Sequence, residues 1–494
     1  MMDREREIFK AQDQFEELVN MIRNAANEGE PIDQVERNLW QRLLAMGQRL
    51  LQGYVDLQGS GDMGESLEKE GKQYRRLEKK HPKRYLSVFG EIEILRTVYG
   101  TREKQKHEVV PLDARLNLPE GEFSYLLQEW DQDFCVQGSY LQATAKMERI
   151  LGIGQSVRSL EHMNRIMAQD VKEFRDAQPK PEETEEGSLF VITADGKGVP
   201  IRRNQEKSET AIQNGRPKGE KANKKRQACV GSVYTIEPFP RQAEDVINEV
   251  MRKEKQAKRP SPCNKRMRAE LTREVAGVEV NGKDVVFQWF AEEMSNRNPE
   301  GKKTVVCVMD ADRALWKKLQ TYVPSAVGIL DLYHVLERLW DAAYCFYREG
   351  SEEAESFVTD RLTKILQGKV GRVIGGLKQM QTKLPLTKTR RSQLNTVIAY
   401  LENNRDLMQY DYYLACGYPI GSGVAEGACR HVVKDRMELT GMRWTVEGAQ
   451  AMLDLRAVHL NGDWEAFHQH RIKRQQEKLY PYREEILAEW KMAA

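Results

Sequence analysis

Three acidic side chains stand where a chain can hold a metal ion. Val305 to Met309 is a run of apolar β-formers that stops at Asp310, with Asp312 two residues further on. A second apolar run, SLFVITADGKGVPI (188–201), reaches Asp195. Each reads as a buried strand ending in an acid. Neighbouring strands lie about 4.8 Å apart, so acids at adjacent tips can share a cation. Without one, two carboxylates in apolar surroundings repel each other at high cost. Glu426, on the helix after the YPIGSG turn, offers a third oxygen ligand, and three such groups suit Mg²⁺. Two ions roughly 3.5–4 Å apart would serve phosphodiester cleavage, one activating the attacking oxygen and one stabilising the leaving 3′-oxygen. Each acid also has a plain reading. Asp195-Gly196 is a common turn pair, Asp310 or Asp312 can cap a helix starting near Ala314, and surface helices are rich in glutamate.

The elements that must position these acids follow from periodicity. Residues 3–55 repeat apolar side chains at helical steps, and 56–81 read as a polar, glycine-bearing connection. Alternation around Gly90 predicts a β-hairpin over 84–100. Helices resume after Pro119. In 152–171, Ser156 caps a helix carrying Arg158, His162, Asn164 and Arg165, and the helix–turn–helix outline is one that can enter a DNA major groove. The Pro- and Glu-rich stretch 176–187 marks a linker. Strands are then expected at 188–201, 226–237, 283–293 and 304–312, with a strand passing into a helix over 325–346. Residues 347–410 read as all helical, and VAEGACRHVVKDRMELTG as one more helix ended by Gly441. The fold class is therefore α/β, a mixed sheet with helices interleaved late. The division expected is 1–80 helical, 81–176 hairpin plus helix-turn-helix-like DNA-binding region, 187–346 first part of the catalytic core, 347–415 helical insertion, 416–460 last core helix, and 461–494 C-terminal helical tail.

Composition sets the outer limits. A chain of 494 residues should form about two to four domains. Its formal net charge is only +2, so nucleic-acid affinity must come from local basic patches. Seven cysteines with no CxxC pair argue against a disulfide framework or a cysteine zinc site, and Cys229, Cys307, Cys345, Cys416 and Cys429 read as small core residues. The charged N-terminus is unlike a signal peptide, and no apolar run is long enough to span a bilayer. A cytoplasmic, nucleoid-associated protein is expected.

Four blocks, ADGKGVP, KKRQACVGSVYTI, ILDLYHVLERLW and above all YPIGSGVAEGACRHVVKDRMELTGMRW, resemble the bacterial insertion-sequence DDE transposases of the Kra type, distant relatives of the Mutator-like transposases. The resemblance covers roughly residues 84–468. It implies an RNase H-like core interrupted by a helical insertion before the last acid. It also implies cleavage at transposon ends and strand transfer into target DNA, dependent on two Mg²⁺ (or Mn²⁺) ions. Carried over by position, the metal-holding and catalytic acids are Asp195, Asp310 and Glu426. One departure is clear. The family has Asp-Gly after the fourth strand, whereas this chain has Asp310-Ala311-Asp312. Asp312 thus competes for the second ligand place, but Asp310 directly follows the strand and is held by the sheet. In related transposases an acid or cysteine three residues before a histidine lies beside the active centre. Here that pair is Asp331 and His334, which otherwise reads as a helix cap with a satisfied histidine.

Several cations are candidates for contacting DNA. Helical steps place Arg430 and Lys434 on the side of Glu426, and Arg443 and Trp444 follow the helix stop, where an aromatic can stack on an unpaired base or anchor the core. Residues 202–227 carry nine Lys or Arg against three Glu, including Lys224, Lys225 and Arg226, and residues 251–268 carry eight against one. Arg158 belongs to the helix-turn-helix-like segment. The partners expected are double-stranded DNA, as transposon ends and target, and a second copy of the chain, since two ends must be joined. A structure-selective nuclease or resolvase, or a catalytically decayed DNA-binding protein, is the alternative.

Overall fold

The computed structural model describes residues 4–69, 71–101, 108–202, 225–251 and 259–493, and the chain divides into two compact units, 175–462 and 1–174 with 463–494. The larger unit is built on a five-stranded mixed sheet. Its strands are β1 (Leu189–Pro200), β2 (Lys225–Ile236), β3 (Cys263–Leu271), β4 (Thr304–Met309) and β5 (Val327–Leu330), in the spatial order β5-β4-β1-β2-β3. β2 runs antiparallel to its neighbours β1 and β3, while β4 runs parallel to both β1 and β5. The apolar runs are continuous because both faces of the central strands are covered. Leu189, Val191, Val306 and Val308 pack to one side; Phe190, Ile192, Ala194, Val305, Cys307 and Met309 pack to the other.

Helices α1 (Ala243–Val250), α2 (Gly282–Arg297), α3 (Arg313–Tyr322) and α4 (Leu332–Ala343) accompany the sheet, with α2 and α3 on the Met309 face and α4 on the Val308 face. The insertion is helical as expected: α5 (Glu352–Leu366), α6 (Val370–Lys383), α7 (Lys388–Asn403) and α8 (Tyr410–Ala415). Its core joins the α4 face through residues such as Phe357, Leu362, Leu394 and Leu401. The last helix of the insertion is tied to the edge strand. Tyr410 and Tyr413 hydroxyls donate to the Leu330 and Gly328 carbonyls at 2.7 and 3.1 Å. These bonds satisfy acceptors that an unpaired sheet edge would leave open.

Several expectations change. Residues 283–293 form helix α2, not a strand. The β-branched and aromatic composition suggested β structure, but the buried Gly282, Val286, Phe287, Trp289 and Phe290 recur at helical steps, and Asn281 caps the Lys283 and Asp284 amides. Strand β3 lies in a stretch that reads only as basic; its Met267, Ala269 and Leu271 alternate inward between Arg266, Arg268 and Glu270. β1 does not stop at Asp195 but runs on to Pro200 beside β2. The segment after the YPIGSG turn is not one α-helix. It is α9 (Gly423–Ala428), a wide π-helical stretch Cys429–Lys434 and a short turn Asp435–Met437, followed by α10 (Val446–Leu460).

In the other unit, helices Arg6–Glu28 and Ile32–Gln58 pair, and the hairpin His81–Ser87/Gly90–Arg96 forms with Ser87 opposite Gly90. The polar connection 56–81 also contains an antiparallel pair, Ser66–Lys69 with Lys72–Arg76. Helices Tyr140–Leu151 and Val157–Ala168 match the helix-turn-helix outline, with Ser156 capping the second through the Ser159 amide. Arg158, His162 and Arg165 are exposed on it, whereas Asn164 is buried and donates to Gln132. The C-terminal helices Trp464–Leu479 and Arg483–Ala493 belong to this unit. Arg471 donates to Gln128, and Tyr480 to the Leu118 carbonyl, at 2.8 and 2.7 Å. Among the described residues, no helix is long and apolar enough to cross a membrane.

Candidate metal centre

Register places the acids. Ala194 faces Met309 across the β1–β4 ladder, and Met309 faces Leu330 across the β4–β5 ladder. The next residue on each strand is an aspartate: Asp195, Asp310 and Asp331. Strands alternate their side chains, so the residue after the inward Ala194 and Met309 turns to the α4 side of the sheet. The Asp331 amide donates to the Met309 carbonyl at 2.9 Å, which carries the parallel pairing one step beyond β5.

Asp195 and Asp310 are half-buried, and they feel each other. Burial, and then the charges of Asp195 and Asp312, raise the Asp310 pKa against the pull of the Asp312 amide and His334. The Asp310 Oδ1 accepts from the Asp312 amide at 3.0 Å, and its carbonyl accepts from the Trp316 indole at 2.7 Å. Asp195 Oδ1 accepts from the Gly196 amide at 2.6 Å. Asp312 is differently employed. It caps α3 through the Ala314 amide at 2.8 Å and pairs with Lys283 at 2.8 Å. Burial opposes its ionisation, but Lys283 and the helix amides outweigh this and its pKa lies below the ordinary value.

Glu426 sits on the exposed side of α9. Burial, then Asp331, Glu337 and Asp195, push its pKa up, and His334 pulls it down. Asp331, His334 and Glu426 each bring one ligand-capable atom to within 4.8 Å of the others. The three are not equivalent, because Asp331 is fully buried and its oxygens are engaged. Its Oδ1 accepts from the Tyr333 and Ser422 amides at 3.0 and 3.3 Å, and its Oδ2 from His334 Nδ1 at 2.9 Å and from the Ser422 hydroxyl. A carboxylate has about four acceptor places, and the four hydrogen bonds to Asp331 occupy them. The hydrogen bond to Asp331 raises the His334 pKa to about 9, leaving an imidazolium among carboxylates.

Two neighbours carry no sequence signal for a site. Cys429 is a core residue, as expected, but its thiol hydrogen-bonds the Asp195 carboxylate; burial and that charge push the thiol up. Arg456 on α10 explains the π stretch. Its guanidinium donates to the carbonyls of Val432, at 2.9 Å, and His431, so a buried cation takes up acceptors of the irregular turn. The wide turn breaks the four-residue stacking of Glu426, Arg430 and Lys434. Arg430 approaches Asp435 instead, at 3.6 Å.

The other candidate DNA contacts divide. Lys225, Arg226, Arg430, Lys434 and Arg443 are exposed, with Lys225 paired to Glu438 at 2.6 Å. Trp444 is not available for stacking on a base. It is buried, its indole donates to the Met437 carbonyl at 3.1 Å, Arg436 lies over its ring, and its backbone pairs with Pro200 and Arg202. Lys224, most of the basic stretch 202–227 and residues 252–258 lie outside the described residues.

No family model and no curated protein matches the chain. Among solved structures the chain is similar to the "Drosophila P element transposase strand transfer complex", at 8% identity and a TM-score of 0.24 over 71% of this chain and 82% of that one. A likeness that loose carries no argument about function.

Proposed function

We propose that the chain is the DNA transposase of an insertion sequence, acting through an RNase H-like core in which Asp195, Asp310 and Glu426 hold divalent cations. The observation that carries this reading is the shared row of Asp195 and Asp310 on parallel neighbours β1 and β4, with Glu426, from beyond the helical segment, beside Asp331 and His334 and feeling the Asp195 charge. A five-stranded order β5-β4-β1-β2-β3 in which only β2 runs against the other strands fits that core.

The donor set fits Mg²⁺ or Mn²⁺: it is rich in carboxylate oxygen, and a cation offsets both the burial that chiefly raises Asp310 and Glu426 and the repulsion that Asp195 adds to each. When bound, two such ions activate the attacking oxygen and stabilise the leaving 3′-oxygen. The chain supplies the rest. The sheet fixes Asp195 and Asp310, Asp312 is kept apart by Lys283, and exposed Lys225, Arg226, Arg430, Lys434 and Arg443 neutralise phosphates along a DNA duplex. Arg158 and the exposed helix face of the other unit read terminal inverted repeats. Pairing two ends requires at least two copies of the chain. No serine or tyrosine nucleophile is needed.

The test is incubation of the protein with labelled candidate end DNA and Mg²⁺ or Mn²⁺. Joined products support a transposase. Cleavage without joining points to a nuclease or resolvase, and retention without cleavage to a decayed DNA-binding protein.

A further inference from the structure

We propose that Asp331 is a positioning residue which, with Ser422, holds the helix carrying Glu426 beside Asp195 within β1 and Asp310 at the end of β4. The inference rests on the reading of Glu426 as a metal ligand, and adds the device that places it.

The problem it solves is one of chain path. Asp310 and Asp195 are fixed by strand pairing, but Glu426 follows the whole helical insertion and belongs to no strand. An exposed glutamate near the start of a six-residue helix has little to hold it. Asp331 stands third in the aspartate row and is 0% exposed, with both oxygens turned to groups that must stay put. Two of its four hydrogen bonds reach Ser422, from the backbone amide and from the hydroxyl. The Ser422 carbonyl in turn accepts from the Glu426 amide at 3.0 Å, so Ser422 opens the turn from which Glu426 projects. A backbone bond beside it, Leu332 amide to Ile420 carbonyl at 2.9 Å, locks the same two segments. At Gly421 a Cβ would lie 2.8 Å from the Tyr333 ring, so the loop approaches α4 closely at this point. Upstream, Tyr410 and Tyr413 bind the insertion's last helix to β5. The chain leading into the last acid is thereby tied to the sheet at residues 410, 413, 420 and 422. A buried carboxylate whose acceptors are all filled orders structure; it does not ligate.

Asp331→Asn and Ser422→Ala test this. Asparagine still caps α4 but turns an amide donor toward Ser422 and His334; the alanine removes only the hydroxyl. Hydrogen exchange is measured over residues 420–428, alongside direct calorimetric titration with Mn²⁺. Both variants should exchange about tenfold faster in that segment, with β1 and β4 unchanged, and should need several times more Mn²⁺ for half-saturation. Ser422→Thr, which keeps the hydroxyl, should restore both. Wild-type exchange in both variants would overturn the clamp, and so would faster exchange with an unaltered Mn²⁺ midpoint. A wild-type chain that takes up no Mn²⁺ would sink the metal reading of Glu426, while exchange alone would still decide whether Asp331 holds the turn.

Discussion

Asp310 lies beside Asp195 because Met309 faces Ala194 in a parallel ladder, one residue earlier on each strand. Asp312, two residues on, is turned away to cap α3 and meet Lys283. Asp195→Ala, Asp310→Ala and Glu426→Ala should therefore each abolish cleavage of labelled end DNA and leave DNA retention intact. Asp312→Ala should keep activity and lose about 1 kcal/mol of stability with the cap. A fully active Asp310→Ala alongside a dead Asp312→Ala would reassign the second ligand.

Packing of α2 on the sheet gives a stability prediction. A Cβ on Gly231 would come within 2.5 Å of Val286 Cγ1 and 2.7 Å of the Phe290 ring, both buried. Gly231→Ala should cost about 1–3 kcal/mol through overpacking, read as a lower urea midpoint. An unchanged midpoint would mean that α2 can step back without loss.

Asp131 gives the other unit a pH dependence. It is 0% exposed, and burial raises its pKa to about 7 although Gln155 donates to one oxygen. The unfolded value is 3.8, so the folded state keeps this proton through the window between the two. Stability from this group is present below pH 4 and is lost as pH rises towards 7. Asp131→Asn should remove that loss, gaining about 4 kcal/mol at pH 8 and little at pH 4. Chemical denaturation at the two pH values checks it; an equal shift at both would show that ionisation is not the cause.

For DNA, exposed Lys434 and Arg443 should act on phosphates. Alanine at either should weaken binding uniformly across sequences and lower the slope of log affinity against log salt by about one. A loss confined to one end sequence, with an unchanged slope, would instead mean base contact. Trp444→Ala should lower stability, since the ring fills the core beneath Arg436.

Much of this was legible along the chain. The apolar runs around Val191 and Val306 are buried on both faces, and Asp195 and Asp310 follow them directly. The helical character of the insertion and the cap at Ser156 are local properties, set by periodicity and by a single side chain. Local composition misled at 283–293, where branched and aromatic residues sit on one helix face, and at 263–271, where arginines masked an alternating strand.

The sequence by itself determined which segments are apolar, where each ends in an acid, and that the acids lie far apart in the chain. Only the tertiary structure decided that Ala194, Met309 and Leu330 share a row, because strand register is set by backbone hydrogen bonds between distant residues. It likewise decided that Asp331 is spent on Ser422 and that Arg456 supports a π turn beyond Glu426, since both depend on partners brought in from elsewhere in the fold.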